Sequence, residues 1–150
     1  ERYRVASVEE ACAFDGIAPL LEELARRLPI GLVTSKPIEF AGPILERLDL
    51  ARHFGALCGP PLARTGGEPK SHIAERALAE LGLATSSHGA PPIAAIVGDR
   101  HHDIRAGREL GLATVGVLWG IGSETELREA GARHLVETPR QLGRLLESMG

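Results

Sequence analysis

Short apolar runs alternate with segments of helical periodicity along this chain, and that alternation constrains its fold more than any other feature. The clearest run, Ile93–Val97, is followed at once by Gly98 and Asp99, whereas residues 17–28 repeat leucine at helical spacing. Apolar runs of this length are typical of strands that are buried on both faces. The alternation therefore predicts an α/β fold with a doubly wound parallel sheet between two layers of helices.

The predicted elements extend over most of the chain. Strands are predicted at residues 30–34, 55–58, 93–97, 113–118 and 134–137. Helices are predicted at residues 17–28, 38–48, 71–81, 104–110, 124–129 and 140–149, and glycines 82 and 111 are predicted to end two of them. In a Rossmann-like sheet of this kind, side chains that carry chemistry collect at the carboxyl ends of the strands.

Composition narrows the classes of partner. The net charge is −3, with 17 basic and 20 acidic residues, and aromatic residues make up 3% of the chain, so we expect no nucleic-acid partner. No apolar run approaches the roughly 18 residues of a membrane span and no signal peptide opens the chain, so we expect no membrane partner and a cytoplasmic location. Cys12 and Cys58 fit no metal-binding spacing and are predicted to be buried free thiols, although a disulfide stays open.

Thr34 and Ser35 lie at the end of the strand predicted at residues 30–34 and precede the helix predicted at residues 38–48. A hydroxyl and backbone N–H groups at such a junction can hold a phosphoryl oxygen. The same two residues are also explained as N-caps of the helix, and the local sequence leaves both interpretations open.

Lysine occurs only at Lys36 and Lys70. Lys70 begins a predicted helix, where the positive end of the helix dipole disfavours a cation by about 0.3 kcal/mol or more. A nearby anion would explain this position, and an exposed surface lysine is the alternative.

Asp99 and Asp103 lie on one predicted strand-to-helix loop. Two carboxylates placed there suit Mg²⁺, which takes oxygen ligands and retains several waters. The alternative is that Asp99 forms a turn and Asp103 is an N-cap. His101 and His102 have no further ligands at zinc spacing, so we predict solvated loop histidines. Gly116, Gly120 and Gly122 do not form a dinucleotide-binding fingerprint, and they predict a tightly turning loop.

Three segments taken together resemble a known family. Val33–Pro37, Lys70 with the helix after it, and Val97–Asp103 in the form Gly-Asp-x-x-x-Asp resemble the second, third and fourth motifs of the haloacid dehalogenase-like hydrolases, in their phosphoglycolate phosphatase-like branch. Residues 116–123, Glu126-Leu127 and residues 130–132 resemble the tail of that branch. The resemblance covers residues 16–146 and is specific in combination, whereas the second and third motifs alone would be weak.

The resemblance implies a phosphatase that uses Mg²⁺ to hydrolyse a small-molecule phosphate monoester through an aspartyl-phosphate intermediate. Thr34 and Ser35 would bind the transferring phosphoryl group, and Lys70 would neutralise its charge. Asp99 would ligate Mg²⁺, and Asp103 would support the metal site. Phosphoglycolate, a nucleotide, a sugar phosphate and pyrophosphate all stay open as substrates.

One family motif is missing from the sequence. The nucleophile motif Asp-x-Asp-Gly-Thr does not occur, and Ala13–Ile17 resembles it only in degenerate form. The chain between that segment and Thr34 is too short for a strand, a flap and a helix. We therefore expect residues 1–15 to be a linker or the exit from a helical cap domain, and residues 16–150 to be a partial core domain without its first central strand and cap.

These expectations leave alternatives. The 150-residue chain by itself is expected to be inactive, and a missing N-terminal segment or a homo-oligomer would both be compatible with the pattern. The alternative function is a non-catalytic member of the fold that binds a phosphate ligand or a protein. A phospho-acceptor receiver domain is disfavoured, because its acids come first along the chain and its lysine last.

Overall fold

The computed structural model describes residues 16–61, 68–83 and 94–149. Helices and strands alternate there as predicted. The helices are α1 (Ile17–Ala25), α2 (Ile38–Arg47), α3 (Lys70–Glu80), α4 (His101–Glu109), α5 (Glu124–Ala130) and α6 (Pro139–Met149). The strands are β1 (Gly31–Val33), β2 (Ala56–Cys58), β3 (Ala95–Gly98), β4 (Ala113–Val117) and β5 (His134–Val136), and a short 3-10 helix, Ala51–His53, precedes β2.

All of these strands pair in parallel, in two groups. β1 pairs with β2, and β3, β4 and β5 form a second sheet in that order. Val33 lies opposite Cys58 in the first sheet, and Gly98 lies opposite Gly116 in the second. Within the described ranges β1 and β3 do not pair with each other, so the predicted doubly wound parallel sheet is present in two parts.

Side chains alternate between the two faces of each strand, and each face is covered by helices. On one face of the first sheet, Leu32 and Leu57 pack in a cluster with α1 and α2, while Ala56 and Cys58 pack on α3 from the other face. In the second sheet, Val115 packs with α6 on one face, whereas strand residues of the opposite face pack on α4 and α5. The predicted three-layer arrangement is confirmed.

Helix α3 connects the two sheets. Ala74 of α3 belongs to a buried cluster with Ile96 of β3, and Val33 of β1 packs against the same cluster. On the opposite face, Trp119 packs against clusters from both sheets. The two sheets therefore share apolar packing on both faces, and α3 is positioned to bring its first residue toward the ends of strands in both.

Element boundaries differ from the prediction at one place that matters. Helix α4 begins at His101, three residues before the predicted start at Ile104, so Asp103 lies in its first turn. The predicted glycine ends are confirmed, because Gly82 and Gly111 have φ values of 76° and 74° just after α3 and α4. Such positive φ values favour glycine.

The predicted domain boundary at residue 15 lies outside the described residues and stays a prediction. None of the helices in the described ranges has both the length and the apolar character that a bilayer crossing requires.

Candidate active site

The predicted site residues come from strand ends and from the first turns of helices. Thr34 directly follows β1, Asp99 directly follows β3, Lys70 is the first residue of α3, and Asp103 is in the first turn of α4. Thr34 and Asp99 therefore each lie at the carboxyl end of a parallel strand, which is where doubly wound sheets bind ligands.

Lys70 and Asp103 form a buried ion pair. Lys70 Nζ lies 3.0 Å from Asp103 Oδ1, and the two side chains are 11% and 3% exposed. The alternative of an exposed surface lysine is therefore wrong. Removing one partner of a buried pair leaves an uncompensated charge, which typically costs about 3–5 kcal/mol. The pair joins the start of α3 to the first turn of α4 and explains why a lysine begins α3 despite the helix dipole.

Asp99 is 1% exposed and is held by the loop that follows β4. Its Oδ2 accepts a hydrogen bond from the backbone N–H of Ile121 at 2.8 Å, and its carbonyl oxygen accepts one from Gly122 N–H at 3.0 Å. A Cβ added at Gly120 would lie 2.4 Å from the Asp99 side chain. The glycines that predicted only a tight turn thus let this backbone approach a carboxylate closely.

Thr34 is also buried, but its partners are mainly backbone groups. Its N–H donates to the carbonyl of Cys58 at 3.0 Å, and its Oγ1 accepts a hydrogen bond from Lys36 N–H at 3.0 Å. The N-cap of α2 is Pro37, so the N-cap interpretation of Thr34 and Ser35 is wrong. Ser35 is exposed beside Thr34.

The N-cap interpretation of Asp103 is wrong as well. Arg100 is the N-cap of α4, and Asp103 Oδ2 accepts a hydrogen bond from Arg100 N–H at 3.3 Å. His101 is not a solvated loop residue, because its backbone N–H and its ring contact the carboxylate of Glu126 from α5. His102 is exposed, as predicted, but it lies in α4 rather than in a loop.

Glu126 was not predicted as a functional residue. Its pKa is lowered to about 2 by hydrogen bonds from the Arg100 side chain and from His101, so it is ionised at neutral pH. The sequence signal was only its place in the tail resemblance, since the contact joins residues that are far apart along the chain.

Cys58 is a buried free thiol, as predicted. Burial, and then a hydrogen bond to Glu80, raise its pKa to about 11. The thiol is thus protonated at neutral pH and unsuited to nucleophilic chemistry. Cys12 lies outside the described residues.

The donor set around Asp99 and Asp103 fits a hard cation. Both carboxylates are buried, Asp99 directly after β3 and Asp103 in the first turn of α4. Mg²⁺ needs only one or two carboxylates when waters and phosphate oxygens complete its coordination. Across the described residues there is no cluster of three or more acidic, histidine or cysteine side chains, so a fully protein-made metal cage is not formed there.

Comparison with known proteins identifies the family. The sequence profile described as hydrolase, haloacid dehalogenase-like hydrolase, matches residues 1–111. The chain belongs to the haloacid dehalogenase-like hydrolases.

The relatives of this chain include a protein named as a nucleotidase and one named as a phosphatase. The chain is 36% identical over 149 residues to a 5′-nucleotidase of Pseudomonas aeruginosa, covering 99% of this chain and 64% of that protein. It is 34% identical over 125 residues to the phosphoglycolate phosphatase of Escherichia coli K12, covering 80% of this chain and 46% of that protein. The chain therefore spans less than two thirds of the length of these relatives.

A solved structure has the same fold. The crystal structure of a predicted phosphatase from Clostridium acetobutylicum superposes with a TM-score of 0.78 at 31% identity, covering 90% of this chain and 60% of that chain. The matching relatives confirm the resemblance to the phosphoglycolate phosphatase-like branch of the haloacid dehalogenase-like hydrolases.

Proposed function

We propose that this chain supplies the phosphate-binding and metal-binding part of a Mg²⁺-dependent phosphatase that hydrolyses phosphate monoesters. The observation that carries the proposal is the buried Lys70–Asp103 pair, together with the buried Asp99 four residues before Asp103. A cation and two carboxylates are thereby held out of water at the end of the sheet where ligands bind. A phosphoryl group bound there would meet a fixed positive charge at low dielectric, where such charges stabilise a transition state most strongly.

Each residue has a distinct role in this proposal. Lys70 offsets the negative charge of the phosphoryl group, and Asp103 holds the Lys70 ammonium in place at 3.0 Å. The Thr34 hydroxyl accepts from Lys36 N–H, and its own proton would be donated to a phosphoryl oxygen. Ser35, exposed beside Thr34, contributes to the same phosphate-binding loop.

Asp99 is the proposed direct ligand of Mg²⁺, and Asp103 supports the metal site. A bound Mg²⁺ would supply charge neutralisation at the transferring phosphoryl oxygens. The family mechanism uses an aspartate that attacks phosphorus, releases the alcohol and is freed by water. That aspartate belongs to the Asp-x-Asp-Gly-Thr motif, which these 150 residues do not carry.

The substrate is proposed as a small phosphate monoester. The two relatives named above are a 5′-nucleotidase and a phosphoglycolate phosphatase, and both names refer to phosphate monoesters. Their shared chemistry is the phosphate group rather than the organic part, and the proposed residues address only the phosphate.

Kinetics on a polypeptide in which this chain follows an Asp-x-Asp-Gly-Thr segment would test the proposal. p-Nitrophenyl phosphate, phosphoglycolate and a nucleoside 5′-monophosphate would be assayed with Mg²⁺ and with EDTA. We expect Mg²⁺-dependent turnover that Lys70→Ala reduces by about 100-fold or more, while the matched variant Lys36→Ala changes it far less. Equal rates in the two variants would contradict the proposal. Phosphate binding without turnover would favour the alternative, a non-catalytic phosphate-binding protein.

A further inference from the structure

The segments that follow β3 and β4 are joined by hydrogen bonds at the proposed metal site. We call residues 99–103 the carboxylate loop and residues 120–126 the bracing segment. Ile121 and Gly122 of the bracing segment donate backbone hydrogen bonds to Asp99, as described above. The bracing segment then continues into α5 and reaches the middle of the carboxylate loop through one side chain, Glu126.

One carboxylate oxygen of Glu126, Oε2, makes three contacts with Arg100 and His101. Glu126 Oε2 accepts a hydrogen bond from Arg100 Nε at 2.8 Å and one from the His101 backbone N–H at 2.9 Å. It also lies 2.8 Å from His101 Nδ1. Hydrogen bonds to an ionised acceptor are roughly twice as strong as neutral ones. Arg100 and His101 are the two residues that directly follow Asp99.

From the local sequence alone, Glu126 is expected to cap the N-terminus of α5. Ser123 is the N-cap of α5 and its hydroxyl accepts from Glu126 N–H at 3.0 Å, which is half of a capping box. In a complete capping box the glutamate side chain would turn back to the N–H of Ser123. Glu126 Oε2 instead engages the first turn of α4, where it satisfies the His101 N–H, one of the donors that a helix start leaves without an intrahelical partner.

We propose that Glu126 is a positioning residue that fixes Asp99 relative to Asp103 and thereby sets the affinity of this carboxylate pair for Mg²⁺. The inference rests on the proposed function, because it takes these two carboxylates as the metal site. Arg100 and His101 lie between them, so a shift of that stretch changes the separation and direction of both carboxylates. Partners that orient metal ligands in this way typically contribute about 10- to 100-fold in metal affinity or activity.

Three variants separate positioning from a general effect of charge. Glu126→Gln keeps the size of the side chain and removes its charge. Glu126→Asp keeps an acid in the first turn of α5 but shortens the reach to His101. Glu124→Gln is the matched control, because Glu124 lies in the same turn and pairs with Arg128 of its own helix.

Two readouts on the ¹⁵N-labelled chain would decide the inference. The first is hydrogen exchange of the His101 amide, and the second is the Mg²⁺ dissociation constant from shifts of the amides of residues 99–103. For Glu126→Gln and Glu126→Asp we expect faster His101 exchange and Mg²⁺ affinity weakened by about 10- to 100-fold, with Glu124→Gln close to wild type.

Opposite results would overturn the inference. If Glu126→Asp matches wild type in both readouts, an acid in the helix turn is sufficient and Glu126 does not position the loop. If both Glu126 variants match Glu124→Gln, the contact has no effect. If the wild-type chain binds no Mg²⁺ even at millimolar concentration, the proposed function fails while amide exchange still decides whether Glu126 orders the loop. A single cooperative thermal unfolding transition in each variant would confirm that the variants are folded.

Discussion

The loop after β3 and the loop after β1 are built in different ways, although both end strands at the same side of the fold. After β3, Asp99 and Asp103 are buried and are held by side chains and backbone groups from α3, α5 and the loop after β4. After β1, Thr34 forms hydrogen bonds with the backbone of Lys36 and Cys58, and Ser35 is exposed.

We call the residues after β1 (Thr34 to Lys36) the β1 half of the proposed site, and Asp99 and Asp103 the β3 half. The contacts described above show which parts of the fold hold each half in place. Buried carboxylates are costly unless charges and donors surround them, so the β3 half requires tertiary partners. The proposed phosphate contact of the Thr34 hydroxyl needs only a local turn, which residues 34–36 provide. Lys70 connects the halves, because α3 packs on β1 and β2 while its first side chain reaches Asp103.

The largest expected effect is the loss of Asp99 from the β3 half. In the polypeptide that carries the upstream motif, Asp99→Asn should lower kcat/KM by more than about 100-fold, since a direct ligand should cost at least as much as a residue that only orients one. Asp49→Asn is the matched control, because Asp49 is exposed and pairs with Arg52. A rate for Asp99→Asn near that of the control would remove the metal role from this loop.

The next largest effect is expected on stability, where the backbone at Gly120 closely approaches Asp99. Gly120→Ala should destabilise the chain by about 1–3 kcal/mol, because the new Cβ would lie 2.4 Å from the Asp99 side chain. Gly42→Ala, in α2 with nothing within 4 Å of the new Cβ, should instead stabilise by about 0.5–1 kcal/mol. Urea unfolding measures both values. Equal effects of the two substitutions would show that the loop after β4 is not tightly packed on Asp99.

The same contrast between local and tertiary contacts explains how far the sequence could be used for prediction. Apolar periodicity located every described strand and α-helix but not the 3-10 helix Ala51–His53, and the motif spacing indicated Thr34, Lys70, Asp99 and Asp103. The predicted start of α4 at Ile104 was wrong because Arg100, the observed N-cap, is not a typical capping residue. The acceptor that the helix start needs comes from Glu126, which is distant along the chain.

A milder effect is expected in the β1 half. Thr34→Ala should reduce kcat/KM by about 10-fold, less than Asp99→Asn, because backbone N–H groups of the loop can partly replace the hydroxyl. Thr34→Ser keeps the hydroxyl and should stay close to wild type. A loss as large as that of Asp99→Asn would mean that the two halves contribute equally, contrary to their different construction.

The smallest expected effect is a pH dependence of stability at Glu126. Its pKa is about 2 in the folded chain against an ordinary value of 4.5, so the unfolded state takes up a proton first as pH falls. The stabilisation is therefore complete above pH 4.5 and is lost as pH falls from there toward 2. The difference in unfolding free energy between wild type and Glu126→Gln should shrink between pH 6 and pH 3. A difference that stays constant over that range would contradict the ionised contact with Arg100 and His101.

The central claim is that the two halves form one phosphate site joined by Lys70. Titration of the ¹⁵N-labelled chain with inorganic phosphate, with and without Mg²⁺, tests it most directly through the backbone amides of both loops. We predict that phosphate shifts the amides of Ser35 and Lys36 together with those of residues 99–103, that Mg²⁺ tightens binding, and that Lys70→Met removes the shifts while Lys36→Met retains them. Shifts confined to one loop, or unaffected by Lys70→Met, would contradict the account.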